Sequence, residues 1–148
     1  MNPRPLRLAT LTLLALLAFP ALAATVREHT ADGIAFIEGG IGAEDRQVLD
    51  AERDRYAVLV LTAARGSGAW LADVHVGIRD DAGKSVFERQ LQAPWLLIDL
   101  PPGRYEVVGV RDGEVRMRRV TVPAHGHRET VLYFPVPGET ARHPAGDE

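Results

Sequence analysis

Polar and apolar residues alternate with a period of two along much of this chain, and where the alternation stops the chain turns. Residues 73–79 (DVHVGIR) put Val74, Val76 and Ile78 on one face. Asp80-Asp81-Ala82-Gly83 reverses the chain, and residues 85–91 return as a weaker strand with Val86 inward and Phe87 on the other face. Residues 96–110 (LLIDLPPGRYEVVGV) hold two aliphatic runs on either side of Pro101-Pro102-Gly103, with Tyr105 just beyond. Proline presets φ near about −65° and glycine accepts the positive φ of a type II turn, so Pro102 and Gly103 predict a hairpin. Asp112-Gly113 makes the next tight turn, into residues 114–122. There Val115 and Met117 share one face while Val120 and Val122 have the opposite parity, which predicts a β-bulge at Arg118-Arg119 that keeps all four inward. Residues 123–126 turn again, and residues 128–134 form a closing strand.

Two segments break the alternation. Residues 56–63 (YAVLVLTA) are apolar almost throughout, the mark of a strand covered on both faces. Val58 and Val60 would face an opposing sheet, and Ala57, Leu59 and Leu61 would need a second cover. Residues 43–54 open with Glu44 and Asp45 and end on Arg53 and Arg55, a charge order that complements a helix dipole and predicts the one helix of the chain. Arg46 and Asp50 lie one turn apart on it and should pair. Its Val48, Leu49 and Ala51 are the nearest cover for the apolar strand; left bare, that face would be a binding surface. Ahead of the helix a short strand spans residues 33–37, and the glycine-rich residues 39–42 break it. Residues 65–68 (RGSG) form a loop before Trp70.

The two ends differ from the rest. Arg4 and Arg7, an apolar stretch over residues 8–19 and Ala21-Leu22-Ala23 predict a signal peptide, 1–23, cleaved after Ala23. The stretch is shorter than the roughly 18 apolar residues a membrane span needs, and with no cysteine in the chain no lipid-bearing thiol exists. Residues 135–148, rich in Pro, Gly and charge, predict a disordered tail. Absence of cysteine also removes disulfides, thiolate nucleophiles and Cys-ligated metals. The whole chain has 17 Lys and Arg against 20 Asp and Glu; without Arg4 and Arg7 the balance is 15 to 20, a formal −5, which argues against a nucleic-acid partner. A single lysine, Lys84, among many Arg, Ala and Pro reads as the codon bias of a GC-rich bacterium, and the expected location is the periplasm.

The order of the VHVGIRDDAGKSV hairpin, WLLIDLPPGRYEVVGV and a closing strand resembles the carboxypeptidase regulatory-like domain over residues 56–134, with residues 24–55 outside it. The resemblance implies a mainly β fold, a seven-stranded antiparallel β-sandwich of the transthyretin-like or Ig-like type, here with one short N-terminal helix. Its most specific piece, residues 100–105, is a packing motif with no catalytic residue to carry over. Such domains are accessory modules of metallocarboxypeptidases or of bacterial surface and periplasmic proteins, so the resemblance implies an auxiliary role, holding a protein or a glycan. No feature sets an oligomeric state.

Candidate chemistry is sparse. His125 and His127, two apart in a turn, could chelate a borderline cation if His29 or His75 came near, which gives a small metal-binding protein as the alternative function. Residues 39–42 before a helix resemble a phosphate loop, but they lack the Lys and Ser/Thr of one and precede Glu44 and Asp45, which repel an anion. Trp70 and Trp95 could stack on sugar rings, and Trp70, after a glycine-rich loop, is the ring expected to be exposed. Trp95, at the start of an apolar strand, is expected at the core margin with its indole N–H on a carbonyl. Arg104, Arg111, Arg116, Arg118 and Arg119 could meet an anionic surface or guard a sheet edge. A hydrolase of the transthyretin-like type would need a terminal Tyr-Arg-Gly-Ser that this chain lacks, and no nucleophile elbow is present. The expectation is a non-enzyme that needs no cofactor.

Overall fold

The computed structural model describes residues 29–137. The predicted signal peptide and most of the predicted tail lie outside the described residues. Within them the protein is mainly β, with nine strands in two sheets and one short α-helix. In chain order these are β1 (His29–Ala31), β2 (Ile34–Gly39), α1 (Ala43–Glu52), β3 (Val58–Ala64), β4 (Val74–Asp80), β5 (Ser85–Leu91), β6 (Trp95–Ile98), β7 (Gly103–Arg111), β8 (Glu114–Val122) and β9 (Arg128–Phe134). The first sheet has five strands in the order β1-β2-β6-β3-β9, and the second has four in the order β5-β4-β7-β8. No helix among the described residues is long and apolar enough to cross a membrane.

One apolar layer lies between the sheets. Phe36, Val58, Val60, Leu96, Ile98, Leu132 and Phe134 enter it from the first, and Val74, Val76, Ile78, Phe87, Leu91, Tyr105, Val107, Val120 and Val122 from the second. A second, smaller cluster lies on the outer face of the first sheet, where Leu59, Leu61, Leu97 and Ile37 meet Leu49 of α1 and Tyr56. The continuous apolar run at β3 is therefore explained as expected: its seven residues are all buried, even-numbered ones toward the second sheet and odd-numbered ones outward. Leu49 makes the cover almost alone, since Val48 is half-buried and Ala51 is exposed.

Several expectations are corrected. The strand count is nine rather than seven, because residues before the apolar run add β1 and β2 to the first sheet through pairing of β2 with β6. Asp32 and Gly33, with φ of 50° and 82°, close the β1–β2 hairpin as a two-residue turn, a signal the sequence contained. The sheets are not wholly antiparallel either, because β9 returns beside β3 and pairs with it in parallel from Val58↔Arg128 to Ala64↔Phe134.

Pro101-Pro102-Gly103 makes no hairpin. β6 pairs with β2 and β3 in the first sheet and β7 with β4 and β8 in the second, so the segment carries the chain from one sheet to the other. Two consecutive prolines have no N–H to give a ladder, so pairing has to stop there. Gly103 is not among the residues of positive φ and already belongs to β7, opposite Val122. Tyr105 locks the crossover, its hydroxyl donating to the Pro101 carbonyl at 2.8 Å.

The two strands of uncertain parity also differ from expectation. In β5, Phe87 and Leu91 are the buried residues, while Val86 is half-buried yet also packs against the core, because a register shift between Ile78 and Arg79 leaves it as an extra residue without a partner on β4. Facing Val86 inward would also turn Glu88 and Gln90 inward, whereas facing Phe87 inward brings only Arg89 along. Arg89 sits at the sheet margin, its guanidinium 5.0 Å from the Phe36 ring centre and 2.8 Å from a Glu38 carboxylate oxygen. In β8 there is no bulge: pairing with β7 runs unbroken from Gly103↔Val122 to Arg111↔Glu114. Val120 and Val122 are buried, while Val115 and Met117 point outward at 53 % and 47 % exposure. An unbroken ladder keeps every backbone pair, and the inward positions Arg116 and Arg118 lie at the seam where their guanidinium groups find acceptors.

Candidate functional site

Tyr133, Ala63 and Trp70 stand in one row on the outer face of the first sheet. Ala63 of β3 pairs with Tyr133 on one side and forms an isolated bridge to Trp70 on the other, so all three side chains point the same way. Tyr133 and Trp70 are 41 % and 42 % exposed, and Ala63 between them is buried. Trp95, opposite Leu61 on β6, braces Trp70 edge to face with ring centres 5.7 Å apart. Gly40 lies against the Trp95 ring at a φ of +94°; a Cβ there would come within 2.7 Å of the indole. Trp70 is thus exposed and Trp95 half-buried, as the sequence suggested, but the buried Trp95 indole N–H finds no acceptor among the described residues, contrary to the carbonyl expected for it. Tyr133 was missed because its link to Trp70 arises only from the parallel pairing of β9 with β3.

The loop of residues 39–42 is held by the helix that follows it. The Gly40 N–H donates to the Asp45 carboxylate, and Arg46 donates to the Gly40 and Ile41 carbonyls, each at 3.0 Å. A carboxylate of the chain thereby takes the place that an anion would need. Arg46 does not pair with Asp50, which binds Arg53 at 3.0 Å.

The structure sets the histidines to separate tasks. His127 Nδ1 lies 2.9 Å from the Tyr56 carbonyl, so it carries the proton, and its buried Nε2 has no partner among the described residues. His29 stacks on Phe36, and His75 Nε2 meets Glu88 Oε1 at 3.0 Å. No group of three or more metal-donor side chains is assembled among the described residues, so His125 and His127 gain no third ligand there.

Among the described residues no helix lies over the outer face of the second sheet. Register places His75, Val110 and Val115 in one row, Gly77, Val108 and Met117 in the next, and Arg79, Glu106 and Arg119 in a third. Arg79 borders two hollows on this face. One, of about 200 Å³, is lined by His75, Gly77, Ser85, Glu88, Val108 and Val110. Ser85, His75 and Glu88 are the residue types of a hydrolytic triad, but Ser85 pairs with Arg79, and four residues of strand, roughly 13 Å, separate it from His75. The other hollow, of about 520 Å³, lies between the Asp80–Gly83 turn and the facing ends of β7 and β8 and takes in Arg79, Arg104, Glu106 and Arg119. Arg104 binds Asp81 at 2.6 Å, and the Asp80 carboxylate accepts the Ala82 and Lys84 N–H groups. Arg79 and Arg119 have no ion pair among the described residues.

Tyr105 also borders this hollow. Burial first, and then the Asp80 carboxylate, push its phenol above the ordinary value. The fold therefore favours the neutral phenol, and the stability this brings is complete below the ordinary tyrosine value near about 10 and is lost as pH rises through the higher folded value. Tyr105→Phe should lower stability at neutral pH by about 0.5–1.5 kcal/mol through the lost hydroxyl bond. Its unfolding midpoint should then fall less than that of the parent as the pH is raised above about 10, a difference that thermal melts at stepped pH will measure.

Of the five arginines considered as edge guards, Arg116 and Arg118 donate to carbonyls at the sheet edges. Arg116 Nε donates to the Tyr133 carbonyl at 2.9 Å and its Nη1 to the Val115 carbonyl at 2.8 Å, while Arg118 Nη1 donates to Met117 at 3.0 Å. Alternate carbonyls along β8 are thus occupied by side chains of the same chain, which leaves a second strand little to pair with. Substituting both (Arg116→Ser with Arg118→Ser) should make the weight-average mass in sedimentation rise with concentration more steeply than the parent's; identical curves would remove the guarding role. Arg111 turns to Asp112 at 2.9 Å, and only Arg104 and Arg119 of the five reach the larger hollow.

No protein-family model matches the chain, and no curated protein matches it.

Proposed function

We propose that the chain is a non-catalytic accessory module, exported to the periplasm through a cleavable signal peptide, that folds as a transthyretin-like β-sandwich of the carboxypeptidase regulatory-like type and holds a protein or glycan partner on its surface. One observation carries the reading of a binding module. The two sheets share an apolar layer, α1 covers part of the outer face of the first, and among the described residues nothing covers the outer face of the second, which exposes Val115 and Met117 beside Arg79 and Arg119. A large apolar side chain left in water next to charges of either sign suits a surface that a partner covers. The reading as a non-enzyme draws on the separation of Ser85 from His75.

A photo-crosslinking residue at Met117, in cells that make the full chain, should give one discrete adduct, and the same residue at the exposed Glu44 of α1 should give none. Arg79→Glu with Arg119→Glu should abolish the Met117 adduct, and protein recovered from the periplasm should begin at Ala24. Adducts of equal yield from both positions, or none from Met117, would count against the second sheet as the partner surface.

A further inference from the structure

Across the outer face of the second sheet, Arg79 of β4, Glu106 of β7 and Arg119 of β8 stand in one row, each opposite the next in the strand register. Opposite charges that face each other across strands ordinarily pair. Here they do not: among the described residues none of the three side chains has an ion pair or a hydrogen bond, and all three line the hollow of about 520 Å³. The other charges around the hollow are committed. Arg104 holds Asp81 at 2.6 Å, and the Asp80 carboxylate accepts from the Ala82 and Lys84 N–H groups at 3.0 and 2.9 Å. The hollow therefore offers a ligand a positive, a negative and a positive group in that order, with one positive charge in excess.

We propose that this hollow is a binding site for an acidic α-amino acid, free or as the first residue of a dipeptide, whose two carboxylates meet Arg79 and Arg119 and whose ammonium meets Glu106. This goes beyond the reading of the chain as a module for a macromolecular partner and does not depend on it. The order of charges selects the ligand. Inorganic phosphate, or a run of phosphates, would satisfy the arginines but bring negative charge against Glu106. A simple amine or metal cation would satisfy Glu106 and face two guanidinium groups. An uncharged sugar would leave all three charges without a counter-ion. An acidic amino acid carries carboxylate, ammonium and carboxylate in that order along its carbon chain, with one negative charge in excess, which is the complement of the row. Each guanidinium can give a carboxylate two parallel charge-assisted hydrogen bonds. A volume of about 520 Å³ lies within the range of small-molecule sites and is enough for the amino acid or the dipeptide.

Isothermal titration of the full chain with L-glutamate and with the dipeptide glutamyl-alanine tests this and separates the two sources. Saturable binding of at least one is expected. Glutarate, which lacks the ammonium, and L-glutamine, which lacks the second carboxylate, should each bind at least tenfold more weakly than L-glutamate; N-acetylation of the dipeptide should weaken it as much. Arg79→Gln and Arg119→Gln, both at exposed positions, should each weaken binding at least tenfold. Glu106→Gln should weaken the ligand that carries an ammonium and tighten its counterpart without one, because it removes a repulsion that only the latter meets. A residue that merely supported the sheet would change both alike. No binding of either ligand at millimolar concentration, inorganic phosphate bound as tightly as the better of the two, an unaffected arginine variant, or a Glu106→Gln variant that changes both kinds of ligand alike would each overturn the proposal. No partner is present in these titrations, so their failure leaves the Met117 adduct standing, and a silent crosslinker at Met117 leaves them standing.

Discussion

Leu49→Ala should destabilise the protein by about 2–5 kcal/mol, the range for removing a buried leucine side chain where the surroundings cannot collapse. Leu49 is fully buried and is the only buried residue of α1. It fills the space over Leu59, Leu61, Leu97 and Ile37, which would otherwise face water on the outer side of the first sheet. The helix is ten residues long and no side chain caps its N-terminus, so alone it would not persist and its place depends on this contact. Helix and sheet also approach at Gly39, where an added Cβ would come within 2.8 Å of Leu49 Cδ1 and an Asp45 carboxylate oxygen, so the leucine side chain fills the space beside Gly39 that alanine would leave empty. A fall in the urea midpoint with loss of helical dichroism before the β signal is the expected outcome. Val48→Ala, at a half-buried neighbouring position, should cost much less. A Leu49→Ala change below about 0.5 kcal/mol, the spread of ordinary surface substitutions, would show that α1 is not what covers β3.

The first prediction also marks what the sequence could say. A continuous apolar run states that a strand is buried on both faces, and burial of β3 between Val107 and Val76 on one side and Leu49 on the other is what such a run requires. Alternation in β4 and the Asp112-Gly113 turn were equally readable, because both are local. Partnership between strands is not local. Two aliphatic runs flanking Pro101-Pro102-Gly103 look the same whether they pair with each other or leave for separate sheets, and only the absent proline N–H groups hinted at the second. Parity failed in β5 and β8 for a related reason: Arg89, Arg116 and Arg118 occupy inward positions, which a rule of polar outside and apolar inside excludes. Long guanidinium side chains at a seam can point inward at the backbone and still end in solvent or on a carbonyl. Of the candidate sites, Trp70 was legible from its loop, while Tyr133 and the outward turn of Val115 and Met117 on the second sheet were not. The exposed Val115 and Met117 were present in the pattern, but a bulge offered a way to bury them.

Gly109 and Gly77, both mid-strand glycines in the second sheet, should respond to alanine with opposite signs. Gly77 lies on the outer face of β4, where an added Cβ meets nothing within 4 Å. Alanine there loses less conformational entropy on folding and should stabilise by about 0.5–1 kcal/mol. Gly109, of β7, has the inward parity of Tyr105 and Val107, and its added Cβ would stand 2.7 Å from Leu132 Cδ1, 3.0 Å from Phe134 Cζ and 3.4 Å from Val74 Cγ1. Leu132 and Phe134 belong to β9 in the opposite sheet and are fully buried, so neither can withdraw without opening the layer between the sheets. Overpacking of that kind costs about 1–3 kcal/mol, enough to exceed the entropic gain that alanine brings at any strand glycine. Gly109→Val should do worse than Gly109→Ala, because its two methyl groups press into the same contacts. Paired urea melts of the two alanine variants give the decisive comparison. Midpoints that move alike would mean that the sheets are free to separate at Gly109, and that close approach of β7 to β9 does not set their spacing.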